Sequence, residues 1–238
     1  MRKTIKRIMK HFTTVPSVAN FVYPPMCGIC GKLYIDFLCN KCNLILKKEF
    51  DFCVDNYKSV NYTIEKINSK KKYFMNHLYI FKYQGIIRKL ILDYKFNDNS
   101  YLHYTFVNFL LKDEMLFENL KCYDTIIPVP ISKKRRKQRG YNQCELIAKK
   151  MAFELGINYN DNCLLKVKDV LEQSKLSRED RLINIQNVYL IRNKEYLKNK
   201  RVLLIDDIYT TGSTVNECSK VLIESGAKTI DVFTMAKD

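Results

Sequence analysis

The sequence contains no run of about 18 apolar residues, the length that a membrane-spanning helix needs. It also contains no internal repeat and no low-complexity tail. Residues Met1 to His11 are charged and are not followed by an uninterrupted apolar segment, so we expect no signal peptide. These absences favour a cytoplasmic protein whose nine cysteines are reduced. The length of 238 residues suits one main domain plus a small module.

Acidic residues are scarce relative to basic residues. The chain has 25 Asp and Glu residues against 41 Lys and Arg residues, a formal net charge of +16. An excess of this size favours phosphate-rich partners. Lys, Asn, Ile and Tyr are abundant along the whole chain, as a compositional bias of the genome would produce. The charge alone therefore does not identify a partner.

The stretch from Val202 to Thr214 is the most informative part of the sequence. Val202–Ile205 is a short apolar run, typical of a strand buried on both faces of a parallel sheet. Asp206 and Asp207 follow where that strand is expected to end. A small, hydroxyl-rich turn comes next and leads into a helical pattern: Thr210, Thr211, Gly212, Ser213 and Thr214.

This turn has the chemistry of a phosphate site. Gly212 allows a tight turn, and the Thr and Ser side chains can cap the helix that follows. The N–H groups at a helix N-terminus favour an anion. Two carboxylates beside such a turn suggest a ligand with a phosphate and a vicinal diol. The alternative is an ordinary strand–helix turn with two capping acids.

Four cysteines near the start form two C-x-x-C pairs: Cys27, Cys30, Cys39 and Cys42. Two such pairs separated by a short loop can present four thiolates tetrahedrally to one Zn²⁺. Four protein ligands leave no open position, so the expected zinc is structural. Buried thiols or a redox-active C-x-x-C are the alternatives. Cys53 is a fifth, unassigned thiol.

The remaining pattern divides the chain into four parts. Residues 1–25 begin with a basic amphipathic helix, which packs on its own domain or lies on an anionic membrane surface. Residues 26–53 form the zinc module, and residues 54–77 a polar connector. Residues 78–238 form the main domain.

Strands and helices alternate in the main domain, which predicts an α/β fold with a mainly parallel sheet. We expect strands at residues 78–83, 125–130, 188–191, 200–206 and 229–235, with the third and fourth on either side of a turn. We expect helices after Gly85, over residues 102–116, over residues 144–155 and after Thr214.

A basic loop is predicted between the strand at residues 125–130 and the helix that follows it. Its cations are Lys133, Lys134, Arg135, Arg136, Lys137 and Arg139. Such a run is usually a solvated loop. Here it stands at a strand end, where α/β sheets bind ligands, so contact with pyrophosphate or nucleic acid is an equal alternative.

The order of strand, acid pair, T-T-G-S-T turn and helix resembles the signature of the type I phosphoribosyltransferases, which bind 5-phosphoribosyl 1-diphosphate (PRPP). This resemblance implies that Asp206 and Asp207 hold the ribose hydroxyls and that Thr210–Thr214 hold the 5-phosphate. It also implies Mg²⁺ with PRPP, and cations on the diphosphate. The candidates for those cations are Arg139, Lys133 to Lys137 and Arg181.

Over about residues 24–236 the chain further resembles the ComF/GntX family of competence proteins. The resemblance rests on the four cysteines, the central motif and several shorter matches. These are Tyr83-Gln84-Gly85 with Arg88 and Lys95, Pro128-Val129-Pro130, Arg139 to Gln143, and Gln173 with Leu176, Arg181 and Asn184. Ser174 and Lys175 depart from the pattern. The resemblance implies a PRPP-like site, a zinc module and a role with DNA taken up during natural transformation.

Three functional hypotheses follow. In the first, the protein handles single-stranded DNA and binds PRPP or a nucleotide end as a ligand. In the second, it is an active phosphoribosyltransferase with an unknown acceptor base. In the third, it is a scaffold whose zinc module and basic helix dock partners such as a DNA-uptake helicase. The sequence shows no clear hood that would select a nucleobase, and fold alone does not decide catalysis.

Overall fold

The computed structural model describes residues 26–34, 37–56, 72–97, 99–168 and 188–238. The predicted helix within residues 1–25 and the segment from Leu171 to Asn187, which includes Arg181, lie outside these residues. The helices are α1 Asn40–Glu49, α2 Gly85–Phe96, α3 Leu102–Leu110, α4 Glu114–Leu120, α5 Lys133–Arg139, α6 Gln143–Leu155, α7 Lys194–Leu197 and α8 Ser213–Glu224. None of these helices is long and apolar enough to cross a membrane.

Eight strands form two sheets within the described residues. The strands are β1 Phe50–Asn56, β2 Asn76–Lys82, β3 Thr125–Pro128, β4 Asn158–Tyr159, β5 Leu164–Lys166, β6 Tyr189–Ile191, β7 Arg201–Tyr209 and β8 Thr229–Lys237. The main sheet has the order β1-β2-β8-β7-β3-β4. Its strands run parallel except for β1, which is antiparallel to β2 at the edge. Strands β5 and β6 form a separate antiparallel pair.

Strand β7 is buried on both faces, as its apolar run predicts. Leu203 and Ile205 belong to the core on one face, together with α2, α3 and α6. Val202 and Leu204 belong to the core on the other face, together with α8 and the β5–β6 pair. Because successive side chains of a strand point to opposite faces, one uninterrupted apolar run serves both cores. The predicted α/β class with a mainly parallel sheet is confirmed.

The four-cysteine segment packs on the first of these two cores. Cys27, Cys42 and Leu46 are buried in the same cluster as Phe106 of α3. The Thr105 hydroxyl also donates a hydrogen bond of 2.8 Å to the Phe37 carbonyl. Residues of the predicted zinc module and of the predicted main domain therefore share one core. Strand β1 begins in the predicted zinc module and ends in the predicted connector, of which residues 57–71 lie outside the described residues.

The predicted basic loop at residues 133–139 is wrong, because these residues form helix α5. The Ser132 hydroxyl caps its first turn by accepting a hydrogen bond from the Arg135 N–H, and Gly140 ends it in the left-handed conformation. Lys and Arg are good helix formers, and cations in the last turn suit the helix dipole. The run lacks an apolar stripe, so its helical character is not visible as periodicity.

Three further elements differ from the sequence-based expectations. The single helix expected over residues 102–116 is two helices, because Asp113 caps a new one by accepting a hydrogen bond from Leu116 N–H. The strands expected around a turn at residues 188–206 do not pair with each other, since β6 pairs with β5 and α7 intervenes. Strand β7 continues through Asp206 and Asp207 to Tyr209, because β8 pairs with it up to Lys237.

Candidate functional site

A cavity of about 220 Å³ lies at the carboxyl ends of β3 and β7. This is the edge of a parallel sheet where α/β proteins bind ligands. The cavity brings together the end of β7, the turn that follows it, and side chains from α2, α5, α6 and the β5–β6 pair. The residues that carry polar chemistry are Lys95, Arg135, Arg139, Cys144, Lys166, Tyr189, Asp206, Asp207, Tyr209, Thr210, Thr211, Ser213 and Thr214.

The turn after β7 has the compact geometry that the sequence predicts. Gly212 has a φ of 73°, and a Cβ at this position would collide with the ring of Tyr209. Both observations require glycine. The Thr211 and Ser213 hydroxyls are hydrogen-bonded to each other at 2.8 Å. Gly212 itself is the N-cap of α8 and has no side chain, but the Thr211 hydroxyl accepts a hydrogen bond of 3.4 Å from the Ser213 N–H, so a Thr side chain caps the helix start as expected. Thr and Ser hydroxyls thus line the cavity at the start of a 12-residue helix.

The two carboxylates have different surroundings. Asp206 Oδ1 accepts hydrogen bonds from the Asp207 N–H at 2.9 Å and from the Cys144 thiol at 3.4 Å. Burial, followed by the neighbouring Asp207 charge, raises the pKa of Asp206 to about 6. Asp207 Oδ1 instead forms an ion pair with Lys95 Nζ at 2.9 Å. The acid pair therefore has one member with a raised pKa and one that is paired with a lysine.

Cations outnumber acids in the cavity wall. Lys95, Arg135, Arg139 and Lys166 line it together with Asp206 and Asp207. Arg139 donates a hydrogen bond to the Gln143 amide oxygen at 3.1 Å, and its guanidinium lies 4.9 Å from the centre of the Phe96 ring. An excess of positive charge in a concave site suits a ligand with several phosphate charges.

Helix α5 divides the basic run of the sequence into two groups. Arg135 and Arg139 are half-buried and line the cavity. Lys133, Lys134, Arg136 and Lys137 are exposed on the outside, and Arg136 pairs there with Glu145 at 2.6 Å. Five polar cavity residues received no site role from the sequence: Lys95, Cys144, Lys166, Tyr189 and Tyr209. Lys95 could have been found from the sequence, because it is one of the residues on which the family resemblance rests. Cys144 was assigned only to a helix stripe.

The four cysteines of the second candidate site lie together. Their Sγ atoms are all within 4.8 Å of one another, and those of Cys30 and Cys39 are 3.9 Å apart. Tetrahedral Zn–S bonds of about 2.3 Å place the sulfurs about 3.8 Å apart. Burial raises the pKa of Cys27, but backbone N–H groups, among them those of Cys39 and Cys30, outweigh this effect and lower it to about 6. The cluster fits a structural zinc ion.

The comparisons with known proteins agree with this geometry. Residues 142–238 match the family model described as the phosphoribosyl transferase domain. The chain is 30% identical over 217 residues to Competence protein F of Haemophilus influenzae, which covers 90% of this chain and 85% of that protein. It is 32% identical over 163 residues to Competence protein ComFC of Streptococcus pneumoniae, covering 68% of this chain and 69% of that protein.

Among solved structures, the chain is similar to the glutamine PRPP amidotransferase from B. subtilis complexed with ADP and GMP. The identity is 19% and the TM-score 0.40, and the match covers 60% of this chain and 30% of that chain. The fold and the matching domain model define a type I phosphoribosyltransferase-like protein. Within that class, the chain belongs to the ComF family of competence proteins.

Proposed function

We propose that this protein binds PRPP, or a related ribose 5-phosphate ligand, and handles incoming single-stranded DNA during natural transformation. The observation that carries the first part is the composition of the 220 Å³ cavity. An acid pair, a hydroxyl-rich turn at a helix start and four cations meet in one space. The second part rests on family membership and on the exposed cations of α5.

Three sets of groups in the cavity bind the three parts of such a ligand. The Thr210–Thr214 turn binds the 5-phosphate, because N–H groups and hydroxyls at a helix start favour phosphate. Asp206 and Asp207 accept hydrogen bonds from the ribose hydroxyls. Arg135 and Arg139 bind the diphosphate, for which guanidinium groups have suitable geometry.

Mg²⁺ accompanies the ligand in this proposal. It binds one or two carboxylates together with phosphate oxygens, and Asp206 and Asp207 are the carboxylates that the cavity offers. The Cys144 thiol lies with them but is a poor ligand for Mg²⁺, which prefers oxygen. The metal would neutralise phosphate charge in the cavity.

The PRPP proposal is tested by titrating the full chain with PRPP, with and without Mg²⁺, and by assaying pyrophosphate release against a panel of nucleobases. Binding without release supports a ligand-binding protein. Release that depends on one base identifies the alternative, an active phosphoribosyltransferase, whose leaving pyrophosphate the same cations would stabilise. Absence of PRPP binding under both conditions would contradict the proposal.

The DNA proposal is tested by measuring affinity for a single-stranded oligonucleotide over a range of salt concentrations. We propose that the strand crosses α5 and the four-cysteine segment, where phosphates meet cations and unpaired bases meet aromatic rings. The logarithm of the affinity should fall with the logarithm of salt concentration by about 0.7 per phosphate contact. Failure to bind at low salt would overturn this part and favour the enzyme. A DNA-uptake helicase is a further proposed partner, and the cytoplasm is the proposed location.

A further inference from the structure

Lys95 is the one cation of the cavity wall, among the described residues, that comes from helix α2. This helix lies outside residues 142–238, the part that matches the phosphoribosyl transferase domain. Lys95 Nζ lies 2.9 Å from Asp207 Oδ1, and each side chain is only 16% exposed. An ion pair shielded to this extent is costly to leave half-formed, so the two residues act as a unit.

The last turn of α2 is fastened to the start of α6. The Tyr94 hydroxyl donates a hydrogen bond of 2.9 Å to the Gln143 carbonyl, and the Tyr141 hydroxyl donates one to the Tyr94 carbonyl. The Gln143 amide group also donates to the Lys95 carbonyl at 3.5 Å. Three hydrogen bonds from one short segment thus hold the backbone that carries Lys95. This accounts for the position of Lys95 without any ligand.

The chemistry of PRPP decides which part of the ligand Lys95 can reach. The diphosphate is attached to C1 of the ribose, directly beside C2, whose hydroxyl belongs to the diol. The 5-phosphate is at the other end of the sugar. A cation that is already hydrogen-bonded to a diol-binding carboxylate is therefore near the diphosphate and far from the 5-phosphate. An ammonium group has three donors, so a bond to Asp207 leaves others for phosphate oxygens.

We propose that Lys95 is a ligand-positioning residue: it pairs with Asp207 in the empty cavity and binds the diphosphate of PRPP when Asp207 accepts a ribose hydroxyl. This inference rests on the proposed function. It assigns to Lys95 the discrimination between PRPP and ribose 5-phosphate, which lacks the diphosphate. A merely structural lysine would affect both ligands equally.

The test compares Lys95→Gln with Lys89→Gln by calorimetric titration of the full chain with PRPP and with ribose 5-phosphate, both with Mg²⁺. Lys89 is exposed on the same helix and does not line the cavity, so it controls for the change in net charge. We expect Lys95→Gln to weaken PRPP binding at least about tenfold, the effect of one hydrogen bond between charged groups. Ribose 5-phosphate binding should fall less than about threefold, and Lys89→Gln should change neither ligand appreciably.

Two more variants show whether a loss of binding comes from misfolding or from the loss of the lysine. Lys95→Arg keeps the charge and should retain most of the preference for PRPP. Asp207→Asn combined with Lys95→Gln leaves no unpaired charge, and it should show a lower preference for PRPP than Asp207→Asn alone. An equal loss of both ligands, or no loss, would overturn the role of Lys95 while leaving the proposed function standing. A wild-type chain that binds neither ligand would overturn both.

Discussion

The four-cysteine cluster and the acid-pair cavity both collect groups that become negatively charged, but they balance that charge differently. In the cluster, four sulfur atoms lie within 4.8 Å of one another, and backbone N–H groups lower the pKa of Cys27. In the cavity, the chain itself supplies cations, and Lys95 lies 2.9 Å from Asp207. The first arrangement suits a metal ion held permanently, and the second suits an anionic ligand that comes and goes.

The two sites also differ in whether they leave room for a ligand. Cys27 and Cys42 are buried in the core beside α3, and four thiolates saturate a zinc ion, so the cluster offers no position to a substrate. The cavity encloses about 220 Å³ and has more cations than acids. A site with its own counter-ions does not depend on a ligand to balance its charge. A site of four thiolates depends on its metal.

The largest effect is therefore expected from the cluster. Replacing Cys27 and Cys30 by Ser should release one zinc ion per chain and unfold the segment, since structural zinc contributes on the order of 10 kcal/mol. Because Cys27 shares a core with α3, the melting temperature of the whole chain should also fall. Elemental analysis and thermal unfolding measure both effects, with Cys122→Ser, an exposed thiol outside the cluster, as the control. If freshly purified protein contained no zinc, the cluster would not be a metal site, and its contrast with the cavity would be refuted.

The next effect concerns ligand binding at the acid pair. Asp207→Ala should weaken PRPP binding by about 1.5–3 kcal/mol, because it removes a charge-assisted hydrogen bond to a ribose hydroxyl. Asp161→Asn, which changes an acid outside the cavity, should leave the affinity unchanged. Thermal unfolding shows whether the variants are folded. Unchanged PRPP affinity in a folded variant lacking both Asp206 and Asp207 would refute the assignment of the diol site.

An effect of similar size, on folding rather than on ligand binding, is expected in the pH dependence of stability. The pKa of Asp206 is raised from 3.8 to about 6 in the folded chain, so the folded state binds its proton more tightly than the unfolded state. This contribution to stability is fully present below pH 3.8 and is lost as the pH rises to about 6. Asp206→Asn should abolish that loss, which is on the order of 3 kcal/mol. Denaturant unfolding at several pH values measures it, and an unchanged pH profile would contradict the burial of this charge.

The smallest effect per residue is expected on helix α5, whose two sides belong to different sites. Replacing the outward Lys133, Lys134 and Lys137 by Gln should weaken binding of single-stranded DNA and flatten its salt dependence, by about 0.7 per lost contact. PRPP affinity should stay the same. Replacing the inward Arg135 and Arg139 by Gln should weaken PRPP binding and leave the DNA affinity and its salt dependence unchanged. Equal effects of both variants on both ligands would show that the basic run is one surface.

Much of the fold follows from local patterns. The uninterrupted apolar run before Asp206 indicates a strand buried on both faces, and this class of fold is confirmed. The Thr210–Thr214 turn and the two C-x-x-C pairs are also visible, because each is contained within one short segment. In such a segment the spacing of residues along the chain determines which groups can meet.

Tertiary structure alone decided the remaining features. Lys95 meets Asp207 because the contacts between Tyr94, Tyr141 and Gln143 hold α2 against α6, and no local spacing encodes that approach. The basic run divides into inward and outward cations only because it is helical and lies beside the cavity. Strand β7 extends past the acids because its distant partner β8 continues. The sequence by itself determined the groups within each motif, whereas packing between distant elements determined which of them share a site, since hydrogen bonds and ion pairs form only between groups that the fold brings within a few ångströms.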